Sequence, residues 1–182
     1  MPDFSTVMEA AKDAVFDAAS LILGFTESEA NDVLRYQWPT GVGSNVFSAS
    51  PSKNVCYIGV SLGQRNATGV INRNVVEIDG ESAVRSDMHV NMRFKFIFYG
   101  PMATVYSQKI YSCIKEERAR NVLKNANMDV LAVGPYPSYV PELIDGNWYE
   151  RSDVEIEFYA LVEYFNEVGT IAQVPNITIR EV

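Results

Sequence analysis

Apolar residues Phe4, Val7, Met8, Ala11, Val15, Ala18, Ala19 and Ile22 recur at steps of three and four, which lays a single apolar stripe along a helix. Asp3 or Ser5 is placed to cap that helix, and Gly24 to end it. Thr26-Glu27-Ser28-Glu29 has the spacing of a capping box and predicts a second helix through about Tyr36, closed by Pro39 and Gly41. On the first helix Glu9, Asp13 and Asp17 stand four residues apart. Such a like-charge stripe costs a few tenths of a kcal/mol per pair. A solvated face tolerates that cost, whereas a channel wall or a basic partner would favour the stripe.

The period then changes from helix to strand. Val55 to Leu62 reads as a buried strand, and Gly63 to Asn74 as a polar loop or the limb of a long hairpin. Val75–Ile78 and Glu81–Val84 flank Asp79-Gly80, a two-residue hairpin signal. From Asn91 to Tyr99 the alternation is clean: Met92, Phe94, Phe96 and Phe98 face one way, Asn91, Arg93 and Lys95 the other. Gly100-Pro101 breaks that strand. Helical spacing returns from about Ala103 to Asn125, with a basic outer face of Lys109, Lys115, Arg118, Arg120 and Lys124.

Val130 to Val133 is a short strand, turned by Gly134-Pro135. Pro135, Pro137 and Pro141 then hold an extended path that no helix or central strand could follow. Asp145-Gly146 makes a turn, Trp148-Tyr149 begins a further strand, and a last strand is predicted near Ile177 to Val182. Between them Val154, Ile156, Phe158, Ala160 and Val162 alternate with Asp153, Glu155 and Glu157. In an antiparallel pair the Arg93/Lys95 face and the Glu155/Glu157 face are natural cross-strand partners. The fold class expected is α+β: a mixed, mainly antiparallel sheet packed by an N-terminal helix pair and a central helix, all in one domain over 1–182, with a hairpin or loop insertion at about 63–87.

Net charge sharpens this picture. The chain carries −8 in all. Residues 1–34 hold seven acids against Lys12 alone, residues 142–182 nine acids against Arg151 and Arg180, and the stretch between is basic by five. Acidic ends around a basic middle either neutralise each other within the fold or pair one copy's acids with another copy's bases. Neither arrangement suits a reader of nucleic-acid sequence, whose domain is strongly basic. No apolar run reaches the roughly 18 residues of a membrane span, and the acidic start is unlike a secretory signal. Cys56 and Cys113 are read as buried free thiols.

Catalytic constellations are scarce. His89 is the sole histidine, and no Gly-x-Ser-x-Gly elbow, P-loop or dinucleotide fingerprint accompanies it. No Cys, His or carboxylate cluster has metal-ligand spacing, so neither a metal nor a cofactor is expected. The alternating Asp153, Glu155 and Glu157 could imitate a glycosidase carboxylate pair, but nothing suggests a cleft around them.

The run Val140-Pro141-Glu142-Leu143-Ile144-Asp145-Gly146-Asn147-Trp148-Tyr149-Glu150-Arg151-Ser152-Asp153 resembles the neck or tail-terminator proteins of tailed bacteriophages. The elements that carry the likeness are Pro141, Glu142, Leu143, Asp145, Gly146, Trp148 and Arg151. Leu34 to Gly41 is similar to that family's helix exit, and Phe98-Tyr99-Gly100-Pro101 to the strand-to-helix junction before its long helix. The resemblance implies a non-enzymatic virion protein, assembled in the host cytoplasm. It would form a homo-oligomeric ring, a hexamer, that caps the tail tube, ends its polymerisation and joins a head-side connector or adaptor. Tail tube protein and sheath protein are the implied partners, and DNA passes through without specific binding. With that role, Asp153, Glu155 and Glu157, or Glu9, Asp13 and Asp17, become candidates for the channel wall. Arg118, Arg120 and Lys124, with Arg93 and Lys95, become candidates for subunit contact. A head–tail adaptor or stopper is the nearest alternative, and a cytosolic enzyme or small-ligand binding domain the more distant one.

Overall fold

A computed structural model of the chain describes residues 4–36, 51–62, 72–78, 81–144 and 146–167. The predicted hairpin tip at Asp79-Gly80, the helix exit at 37–41, Asp145 and the last strand near Ile177 to Val182 lie outside them. Helix α1 (Phe4–Leu23) follows the predicted stripe: Ala11, Ala14, Val15, Ala18, Ala19 and Leu23 are buried. Gly24 adopts φ +77°, the left-handed value that ends a helix without a Cβ clash. Helix α2 (Glu27–Val33) opens on the predicted capping box, with the Thr26 side chain accepting from the Glu29 backbone and the Glu29 carboxylate accepting from Thr26.

That helix stops earlier than the sequence suggests. Leu34–Tyr36 is strand β1, paired parallel to β2 (Val55–Leu62). Pairing with an open sheet edge buries Leu34 and brings the Tyr36 hydroxyl to the Lys12 carbonyl, where it donates a hydrogen bond. Strand β3 (Asn72–Ile78) pairs antiparallel with β4 (Glu81–Tyr99). β4 is one strand of 19 residues where the sequence showed two with a polar gap. Its partner β9 (Arg151–Glu167) runs antiparallel beside it along its own full length, from Tyr99↔Arg151 to Ala83↔Glu167. That continuous ladder satisfies the backbone through Ser86-Asp87-Met88-His89, so no alternation of side chains is needed there.

The predicted central helix is two helices, α3 (Ala103–Cys113) and α4 (Glu117–Asn125). Ile110 and Ile114 are buried, but the next buried position is Ala119, a five-residue step that one straight helix cannot keep on one face. A turn at Ile114 to Glu116 re-aims the chain so that Leu123 meets the same core and Ala119 is buried as well. Gly100, at φ +105°, makes the junction before α3, and a Cβ there would strike the Lys53 carbonyl.

Strands β5 (Met128–Val133) and β6 (Ser138–Tyr139) both pair with β9, giving a sheet order β1-β2-β4-β9-β5, with β3 beside the far half of β4. Strands β7 (Glu142–Ile144) and β8 (Asn147–Tyr149) form a separate hairpin. Helices cover one face of the sheet. Met92, Phe94, Phe96 and Phe98 of β4 and Val154, Ile156, Phe158 and Ala160 of β9 meet α1, α3 and α4 in one core, as their alternation requires. The architecture is α+β, with a mixed and mostly antiparallel sheet.

Candidate functional site

The helix-free face of the β4–β9 pair carries the charges that the alternation left outside the core. Arg93 stands opposite Glu157 and Lys95 opposite Glu155 in the register. The predicted cross-strand pairing therefore forms, but the contacts also run diagonally, within reach of such long side chains. Arg93 Nη2 donates to Glu157 Oε1 at 2.6 Å, and Lys95 Nζ lies 3.0 Å from Asp153 Oδ2. Arg93 Nε is 3.2 Å from Glu155 Oε1, close enough for ionic attraction but without hydrogen-bond alignment. Asp153, Glu155 and Glu157 thus meet cations of their own chain.

At the end of this ladder the run from Glu142 to Asp153 closes into a knot. Arg151 donates from Nε and Nη2 to the two carboxylate oxygens of Asp153, each at 2.8 Å, and from Nη1 to Glu142 Oε2 at 2.9 Å. Tyr99 donates its hydroxyl to the same Glu142 oxygen at 2.7 Å, and its ring lies 5.7 Å beneath the Arg151 guanidinium. Hydrogen bonds from Tyr99 and then Arg151 hold the Glu142 carboxyl below the ordinary carboxylate range. Burial pushes Asp153 up, yet hydrogen bonds from Arg151 and Lys95 outweigh it and hold this group low as well. Burial first, and then the bond to Glu142, raises Tyr99, which stays a neutral donor.

The knot fixes how the β7–β8 hairpin lies. Ile144 and Tyr149 turn inward onto Val55, Ile97 and Tyr99, a small second core on the helix-free face. Tyr99 contacts Tyr57 and Tyr149 edge-on, at centroid distances of 6.2 and 6.4 Å. With that side committed, Leu143 and Trp148, paired directly across the hairpin, point to solvent and are 55% and 68% exposed. Tyr136, Tyr139 and Val140, just before the hairpin in the chain, are exposed too, and Tyr136 rests edge-on against Tyr111 of α3. Gly146, at φ +80°, lets the hairpin turn. Pro141 is exposed on the lead-in, where Val140 donates its backbone N–H to the Arg151 carbonyl at 2.9 Å.

The remaining candidates lie on the helix layer. Glu9, Asp13 and Asp17 are exposed along α1, with Lys12 bonded to Glu9 at 2.6 Å. Arg118 and Lys124 are exposed on α4. Arg120 is committed inside the chain: its Nε donates to Asp129 Oδ1 at 2.9 Å and its Nη2 to the other oxygen, tying α4 to β5. That bond leads the effects that hold Asp129 low. The Arg120 pairing, the Tyr99–Glu142 bond and the outward Leu143/Trp148 pair escaped the sequence reading. The spacing Arg151-x-Asp153, which puts both groups on one strand face, was the available signal for the knot.

Cys56 is buried and Cys113 half-buried, both as free thiols, and burial raises each. His89 touches the Tyr159 ring at 5.4 Å. Among the described residues no three His, Cys, Asp or Glu side chains are grouped to hold a metal ion, and no helix is long and apolar enough to cross a membrane. This surface presents an exposed apolar pair on a braced hairpin beside a ladder of paired charges. A protein-family model described as phage neck terminator protein matches residues 14–182. A search of curated proteins gives no match to the chain.

Proposed function

The chain belongs to the phage neck terminator protein family, a family of structural proteins of the phage neck, and from that premise we propose that copies of it close into a hexameric ring seated on the end of the tail tube. There the ring halts addition of tube subunits and offers its opposite side to the head-side connector. The whole chain acts as one unit in this role. Rings are built from heterologous contacts, in which one patch meets a different patch on the next copy.

The observation that carries the proposal is the use to which the Glu142–Asp153 run is put. Its Glu142, Arg151 and Asp153 bond to one another, and the product is a braced hairpin whose Leu143 and Trp148 are presented to solvent. A rigidly held aromatic–aliphatic pair is the anchor that protein interfaces favour. We place the tail tube against this hairpin. The β4–β9 ladder is our choice for the wall of the passage, because Arg93 and Lys95 are already held by carboxylates. Cations so committed gain little from displacing counterions on a duplex, so DNA slides past.

Tail tubes assembled with and without the protein test this reading. With it, tube lengths should converge on one value and the ends should carry a cap. Tubes whose length distribution is unchanged by the protein would refute the terminator role.

A further inference from the structure

The sheet treats its edges in two ways. Under the helices the edge strands are short or broken: β1 has three residues, β6 has two, and the register of β5 slips between Val130 and Ala132. Short and bulged edges keep a sheet from pairing with other chains. Further along, the edges are left whole. Among the described residues the core under the helices draws on β4 only from Val90 onward and on β9 only as far as Ala160, and β3 gives it nothing. β3, the Glu81–His89 stretch of β4 and Leu161–Glu167 of β9 make a three-stranded extension, with β3 along one side and β9 along the other.

Among the described residues neither side of this extension has a partner strand. β3 pairs with β4 alone, over seven residues and with no slip in register. Its Asn72, Arg73, Asn74, Val75 and Glu77 are exposed, Val75 by 73%, so neither of its faces lies under another layer. On β9 the pairing with β5 stops at Ala160, and Leu161 then donates its N–H to the Asn127 carbonyl at 2.9 Å. By the two-residue period of a strand, the N–H groups of Glu163, Phe165 and Glu167 also point away from β4. The run from Leu161 to Glu167 is as long as β3. Such an edge is a template for an extended strand.

A second copy of the chain carries the matching strand. β3 and β9 each run antiparallel to β4, so they are parallel to each other. Rotation about an axis along these strands brings β3 of one copy beside β9 of the next, and the sheet runs on from copy to copy. The two edges differ in sequence and lie on opposite sides, as a heterologous contact that closes a ring requires. We infer that the subunit joint of the ring is a parallel pair between β3 (Asn72–Ile78) of one copy and the Leu161–Glu167 edge of the next. This deepens the ring reading above and rests on it.

Disulfide cross-linking of the full chain tests the joint. Val75 is level with Val84, and Val84 with Asn166, so within one chain β4 holds positions 75 and 166 two strand spacings apart, roughly 10 Å, beyond disulfide reach. Oxidised V75C/N166C, or V75C/Y164C if the copies are staggered by two residues, should run as a ladder of covalent multimers. The single variants should not, and wild type, whose two thiols are buried or half-buried, is the blank. In a second arm, E163P removes one outward N–H without touching the β4 ladder, so native far-ultraviolet circular dichroism should be kept. Its rings should need about fivefold more protein or more, because every joint loses a hydrogen bond. Rings that form with both double variants uncross-linked and that ignore E163P overturn this joint and leave the ring itself standing. A wild-type chain that stays monomeric, alone and on tube ends, removes the ring and this inference with it.

Discussion

The two faces of the β4–β9 pair are made by alternate residues of the same strands, yet they are built on different principles. On the inner face Phe94 and Phe158 meet edge-on at 5.3 Å under the helices, in an apolar core that also encloses the bonded Ser107 and Ser152 hydroxyls. On the outer face the next residues along, Arg93 and Glu157, form a partly exposed ion pair. The inner face is held by area removed from water, which is insensitive to salt and pH over the ordinary range. The outer face is held by charges whose net contribution is small and condition-dependent. Most of the stability therefore resides in the inner face, and the outer one, beyond its small core around Tyr99, is free to be shaped for contact with other proteins.

Substitutions should separate the two faces in order of size. Phe94→Ala removes a fully buried ring and should lower unfolding free energy by about 3–5 kcal/mol, read from urea denaturation. A loss under about 1 kcal/mol would mean that the helices do not pack on this face as described. Arg151→Met breaks the knot and leaves Glu142 and Asp153 without their shared partner, although the Tyr99 hydroxyl still donates to Glu142 and Lys95 still lies by Asp153. The cost should be about 2 kcal/mol at pH 7, less than for a fully buried pair because the group is partly exposed.

That second difference should depend on pH in a defined direction. Glu142 and Asp153 both sit below the ordinary carboxylate range in the fold. Their ionised forms therefore stabilise the fold at pH above the unfolded values of about 4, and this is lost as pH falls through the lowered folded values. The gap between wild type and Arg151→Met should be full at pH 6–7 and close below about pH 4. A gap that is constant with pH would assign Arg151 a packing role over Tyr99 instead.

Smaller effects sharpen the contrast. Arg93→Ala should cost less than either of these substitutions, and less still in high salt, since its side chain is 37% exposed. Replacing Leu143 and Trp148 together by Ser should change stability by no more than about 0.5 kcal/mol, while abolishing attachment to tube ends. A large loss of stability there would place the hairpin's outer side in the fold rather than in an interface.

What the sequence disclosed follows the same division. The inner face was legible from Met92 to Phe98 and from Val154 to Val162, which alternate as a half-buried pair must, but not across the stretch between Val84 and Asn91 that the ladder with β9 makes one strand. The Thr26 capping box and the Gly24 stop were equally local and equally readable. The facing of Arg93 and Lys95 against the β9 acids was foreseeable from the same period. The break at Ile114 to Glu116 and the strand at Leu34 to Tyr36 were not, since each is decided by a partner distant in sequence. The candidate surface divided likewise. The run from Glu142 to Asp153 stood out, but its bond to Tyr99, 43 residues away, did not. Arg120 looked like a free surface cation until the fold brought Asp129 to it.

A reconstruction of assembled tails by cryo-electron microscopy tests the central claim most directly. Six copies should form a closed annulus at the head-proximal end of the tube, with the Leu143/Trp148 hairpins pressed on the tube and an open bore on the axis. A lone copy bound at the side of that end, with no sibling beside it and no bore through it, would contradict the account.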